Sequence, residues 1–154
     1  MKPQEIIDEL EKLFRLDVDA IAAYDAAISA IGLGSVSTEL SLFKIDHQRH
    51  VLELSQAIMG LGRNPPEVKP DVKGGVIGAL TSVRARLGTE QALLAMRGNE
   101  QLTNTVYAKA LAKPLPEGLL AIVRRNLADE QRHLAWIERA LDQRIWEGAG
   151  AAAP

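Results

Sequence analysis

Residues 46–50 read Asp46-His47-Gln48-Arg49-His50, and residues 129–133 read Asp129-Glu130-Gln131-Arg132-His133. The two stretches stand 83 positions apart. The same offset, with no gap, places Asp17 on Glu100, Tyr24 on Tyr107 and Ala27 on Ala110. Identity between the halves is otherwise low, and the matches concentrate on polar residues, whereas a merely structural repeat would match on Leu and Ala. The chain reads as two copies of one helical hairpin.

Working outward, each copy supplies two helices. The first is expected over about 3–31, with Pro3 suited to a helix start and Gly32 and Gly34 to its end. Its apolar residues Leu10, Phe14, Ile21, Tyr24, Ile28 and Ile31 recur at three- and four-residue steps. The second should run over about 35–61, starting where Ser and Thr between Ser35 and Thr38 can cap it. Its stripe holds Leu40, Phe43, Leu54, Ala57 and Leu61. Three prolines between Arg63 and Lys73 demand a connection there. The third helix is expected over about 75–112, with a weak point at Gly88-Thr89, and the fourth over about 116–146, after Lys113-Pro114-Leu115-Pro116. Short links within each hairpin and a longer crossing link between them predict an all-α, antiparallel four-helix bundle over 1–147, with 148–154 a frayed tail.

Each stripe is broken by ionisable groups. The first passes through Asp17, the second through His47 and His50, the third through Glu100, and the fourth through Glu130 and His133, with the uncharged Asn126 one turn before them. Asp17 and Glu100 each precede a Tyr by seven residues, two turns away on the same face. Burying one such group without a partner costs several kcal/mol, by a rough general estimate. A lone case would read as a satisfied core residue. Six meeting at one level read as a metal site, because a divalent cation supplies the charge and coordination that make the cluster stable. Dinuclear sites in helix bundles take a Glu from each of two helices and a Glu-x-x-His from each of the other two. The second half fits with Glu100, Glu130 and His133. The first half fits with Asp17 for Glu and His47-x-x-His50 for Glu-x-x-His.

With these residues in place, the chain from about Glu5 to Leu141 resembles the ferritin-like superfamily, the group of rubrerythrin and bacterioferritin. The run Glu90 to Glu100, followed by Tyr107 and Leu111, is similar to short bacterial ferritin-like proteins of unknown function. The resemblance implies two iron ions, with zinc or manganese as alternatives. It also implies an oxidoreductase-type reaction with oxygen or peroxide, by ferrous oxidation, peroxide reduction or iron handling. Glu130 would bridge, and Asp17, His50, Glu100 and His133 would be terminal ligands. Tyr24 and Tyr107 would be redox-active, donate to those carboxylates, or simply fill the core with their hydroxyls satisfied.

His47 departs from the pattern, since one imidazole nitrogen cannot bridge as a carboxylate does. Two divalent ions bring a charge of +4, against which only three carboxylates stand, leaving room for a hydroxide or other anion. Asp46 and Glu53 lie near but about one position off the inward stripe and rank behind the six. Arg49 and Arg132 fall off that face and are expected to pair with Asp46, Asp129 or their neighbours. Trp136 and Trp146 lie outside the inward register, at a subunit interface or against a neighbouring helix.

Composition narrows the rest. The formal net charge of −2 supplies no basic field for nucleic acid or an anionic membrane. With no cysteine, thiolate zinc sites, iron–sulfur centres and cysteine nucleophiles are excluded. Any electron donor must then be an external partner or Fe(II) itself. No signal peptide or long apolar run is seen, so cytoplasmic residence is the default expectation. A homodimer is expected because symmetric pairs are the commonest oligomers. The competing reading is a structural or stress-associated bundle with a degenerate or mononuclear, zinc-type site. A di-iron hydroxylase with a larger substrate is a third, for which the sequence offers no pocket.

Overall fold

A computed structural model of the chain describes residues 1–69 and 88–148. Within them lie α1 (Pro3–Ile31), α2 (Ser35–Gly60), α3 (Thr89–Leu111), α4 (Glu117–Asp142) and the short α5 (Ile145–Gly148). No strand occurs among the described residues.

Local chemistry sets most of these ends. Pro3 opens α1, and the backbone N–H of Lys2 donates to a Glu5 carboxylate oxygen at 2.7 Å. Gly32, at φ +77°, stops α1, and its N–H closes on the carbonyl of Ile28. The residue capping α2 is Gly34 rather than a Ser or Thr. The hydroxyls of Ser37 and Thr38 instead donate to the Gly34 carbonyl, each at 2.9 Å. Of the third helix expected over 75–112, the described part lies from Thr89 onward. Gly88 is extended and α3 begins at Thr89, at the weak point foreseen there. The expected stretch 75–87 lies outside the described residues, as do tail residues 149–154. The fourth helix breaks at Gln143-Arg144, where Arg144 takes φ +47°, and α5 follows.

Cross-helix pairs fix the topology. Tyr24 on α1 meets Glu100 on α3, and Tyr107 meets Asp17, so α1 and α3 run antiparallel. Asp46 on α2 meets His133 on α4, and Asp129 meets His50, so α2 and α4 also run antiparallel. All neighbours in the four-helix bundle are thus antiparallel, while α2 and α3 lie diagonally and point the same way.

Two apolar clusters sandwich a polar layer. One holds Leu10, Leu13, Leu54, Tyr107, Ala110 and Val123. The other holds their counterparts 83 residues away in the sequence: Leu93, Met96, Ile137, Tyr24, Ala27 and Leu40. The repeat therefore survives as an approximate two-fold axis through the middle of the bundle. Trp136 and Trp146 are half-buried and pack against the second cluster. On the outer side of α2, Leu42, Ile45, Leu52 and Met59 are exposed.

Candidate metal centre

The polar layer collects all six residues that interrupt the stripes. Asp17, His47, His50, Glu100, Glu130 and His133 each have zero exposure. Helical spacing explains the convergence: i and i+3 share a face, so His47 with His50 and Glu130 with His133 project into the same layer. They form two overlapping groups whose ligand atoms lie within 4.8 Å of one another. The first group is Asp17, His47, His50 and Glu130, and the second is His47, Glu100, Glu130 and His133. His47 and Glu130 belong to both.

The surroundings hold these side chains in place. The Tyr107 hydroxyl donates to Asp17 Oδ2 at 2.5 Å, and the Tyr24 hydroxyl donates to Glu100 Oε1. Both phenols have pKa values pushed well above 10, by burial and by the adjoining carboxylates, so each stays a donor. Thr103 Oγ1 adds a bond to Glu100 Oε2 at 3.2 Å. The Asn104 amide donates to the carbonyls of Glu100 and Glu130, at 2.8 and 2.9 Å, locking α3 to α4 beside the layer.

Outside the histidines stands a second ring that the stripes did not reveal. Asp46 contacts Nε2 of His133 at 3.0 Å, and Asp129 contacts Nε2 of His50 at 3.2 Å. Arg132 donates to Asp46 at 2.7 Å, and Arg49 donates to Asp129. These arginines were expected to pair with the aspartates, and they do so across helices. Burial works to raise the Asp129 pKa, but Arg132, His50 and Arg49 outweigh it and hold it at about 2. Asp46 is therefore a partner of a histidine rather than a member of either ligand group, and Glu53 pairs with Arg49 and Arg125. The signal for the ring was present: both aspartates recur in the repeat.

Electrostatics separates the three histidines. Burial pushes the His133 pKa down to about 4, so its ring is neutral at pH 7. His50 is also buried, but its bond to Asp17 and the nearby Glu130 carboxylate prevail and raise it to about 9. For His47, burial is opposed by Glu130, Asp17 and Glu100, and the net shift is well upward. Burial lifts Glu130 to about 7 against the pull of His47 and His50, with Glu100 and Asp17 adding to the rise.

The layer contains buried atoms with no hydrogen-bond partner: both oxygens of Glu130 and Nδ1 of His133. Glu130 Oε1 lies 3.2 Å from His50 Nδ1 and 3.5 Å from His47 Nδ1, but off hydrogen-bond alignment. An unpaired buried polar atom costs roughly 1–3 kcal/mol. All three orphans face the interior of the polar layer and are donors that a cation accepts. The residues fit a metal.

No family model matches the chain, and no curated protein matches it. Among solved structures it is similar to one described as ferritin like, diiron-carboxylate proteins from Bacillus anthracis str. Ames. That similarity has a TM-score of 0.68 at 23% identity and covers 90% of this chain and 96% of the other. The chain has the ferritin-like fold. No described helix is long and apolar enough to cross a membrane.

Proposed function

We propose that the chain is a dinuclear metal-binding protein whose ions sit in the polar layer of the bundle. Asp17 and His50 are terminal ligands on one side, Glu100 and His133 on the other, and Glu130 lies between. The observation that carries this reading is the pair of unpartnered Glu130 oxygens at the overlap of two ligand groups. The diiron-carboxylate description of the similar structure makes iron the first occupant to test, with zinc and manganese after it. Iron would supply one-electron redox chemistry with oxygen or peroxide, oxidising Fe(II) or reducing peroxide. The chain's own part is to orient the carboxylates through Tyr24 and Tyr107 and to exclude water with the flanking apolar clusters. With no cysteine in the sequence, the reductant is an external donor or Fe(II) itself.

The test is elemental analysis of protein produced in iron-, zinc- or manganese-supplemented medium, with Glu130→Ala alongside. About two ions per chain are expected in the wild type and at most one in the variant. Background levels in every medium would sink the proposal. Bound metal without oxygen- or peroxide-dependent Fe(II) oxidation would leave a metal-binding protein with no ferroxidase activity.

One observation favours a second reading, a structural or stress-associated bundle with a degenerate or mononuclear site. His47 Nδ1 lies 2.8 Å from Asp17 Oδ1, so a charged imidazole can offset part of the layer's negative charge without an ion. The same elemental analysis separates the two. A homodimer and a cytoplasmic location belong to this proposal as well, and sedimentation equilibrium and fractionation of the producing cell are their tests.

A further inference from the structure

His47 belongs to both ligand groups, and its two ring nitrogens face different carboxylates. Its Nδ1 lies 2.8 Å from Asp17 Oδ1 and 3.5 Å from Glu130 Oε1. Its Nε2, on the opposite edge of the ring, lies 3.4 Å from Glu100 Oε1. The ring therefore lies between Asp17, whose terminal partner is His50, and Glu100, whose terminal partner is His133. The residue that His47 matches under the 83-residue offset is Glu130, the only other member of both groups. The approximate two-fold axis thus relates two central positions, each carrying a side chain with two donor atoms. One is a carboxylate and the other an imidazole.

Resting on the metal-binding reading above, we propose that His47 is a bridging ligand, with one ring nitrogen bound to each of two ions. The consequence is geometric. An imidazole holds its nitrogens about 2.2 Å apart and each metal–nitrogen bond adds about 2.0–2.1 Å, so the bridged ions stand about 6 Å apart. Ordinary two-metal sites hold their ions about 3.5–4 Å apart. Charge follows the same way. On taking the second ion, the ring releases its remaining N–H proton to solvent and carries −1. With Asp17, Glu100 and Glu130 this sums to −4, which balances two divalent ions with no added hydroxide.

The test is crystallography of the full chain loaded with Co(II) or Zn(II), reading ion positions from anomalous scattering. Two peaks about 6 Å apart, one against each nitrogen of His47, are expected. In His47→Glu two ions should remain but draw together to about 4 Å. In His47→Gln, whose amide nitrogen is a poor donor, the second ion should bind at least about tenfold more weakly by titration calorimetry. Circular dichroism of both variants checks that the bundle persists, and the wild-type distance stands without them. Two wild-type ions closer than about 4.5 Å, or His47 bound to only one of them, would overturn the bridge alone. A single ion would also overturn it while leaving metal binding intact. No ion at all would overturn the metal-binding reading itself.

Discussion

Nε2 of His133, on α4, donates to Oδ2 of Asp46, on α2, at 3.0 Å. Burial works to raise the Asp46 pKa, but His133 and Arg132 hold it low, so the aspartate is a carboxylate and can only accept. The histidine proton is thereby fixed on Nε2, and the Nδ1 lone pair is left facing the polar layer. The repeat supplies the matching contact between His50 and Asp129 at 3.2 Å, where the metal-free ring is held charged and gives up its Nδ1 proton only to an ion. Each hairpin orients the other's histidine.

Asp46→Asn should leave the bundle folded and weaken metal binding about 10- to 100-fold, because the amide no longer selects the tautomer. Asp129→Asn should do the same on the His50 side. Calorimetric titration measures both. Unchanged affinity in the two variants would show that the tautomers are set elsewhere.

Glu130→Met should act oppositely on the two forms. Without metal it removes a carboxylate whose oxygens have no partner, and the urea midpoint should rise, by about 1–3 kcal/mol in stability. With metal present, the wild type should be the more stable, since the variant loses the ligand shared by both groups.

Tyr107→Phe removes the hydroxyl that donates to Asp17 at 2.5 Å. The metal-free variant should lose about 1–3 kcal/mol, the general cost of a buried acceptor left short of a bond to a charged group. Urea unfolding reads the loss, and Tyr24→Phe is its symmetric control at Glu100.

The pH dependence of stability should change sign with metal. The folded pKa of His50 is about 9, above its unfolded value near 6.5. Its stabilisation is therefore complete below 6.5 and lost as pH rises through 9. Metal-free protein should lose on the order of 2 kcal/mol between pH 7 and 9. Metal-loaded protein should gain over the same range, because binding displaces that proton and strengthens as the pH rises. Urea midpoints at pH 7 and 9, with and without metal, check both signs.

Much of the polar layer was legible because its signals are local. A three-four apolar stripe interrupted by Asp17 or Glu130 is a property of one helix, and the cost of burying such groups alone points to a shared partner. The start of α3 was less legible. The apolar periodicity continues on both sides of Gly88, and only the extended backbone there marks the boundary. Asp46 and Asp129 were visible as repeated residues but not as partners of His133 and His50. Each lies on a different helix from the histidine it holds.

The sequence by itself determined four amphipathic helices, their duplication, and the six residues that must share the interior. Those follow from spacing along one chain, which helical geometry converts directly into faces. Tertiary structure decided which copy serves which: Tyr107 holds Asp17, Asp46 holds His133, and His47 reaches both ligand groups. Such pairings depend on the direction and depth at which helices pack. Spacing within a helix does not encode that relation, because helices packed in a different order would keep the same stripes and break every cross-helix contact.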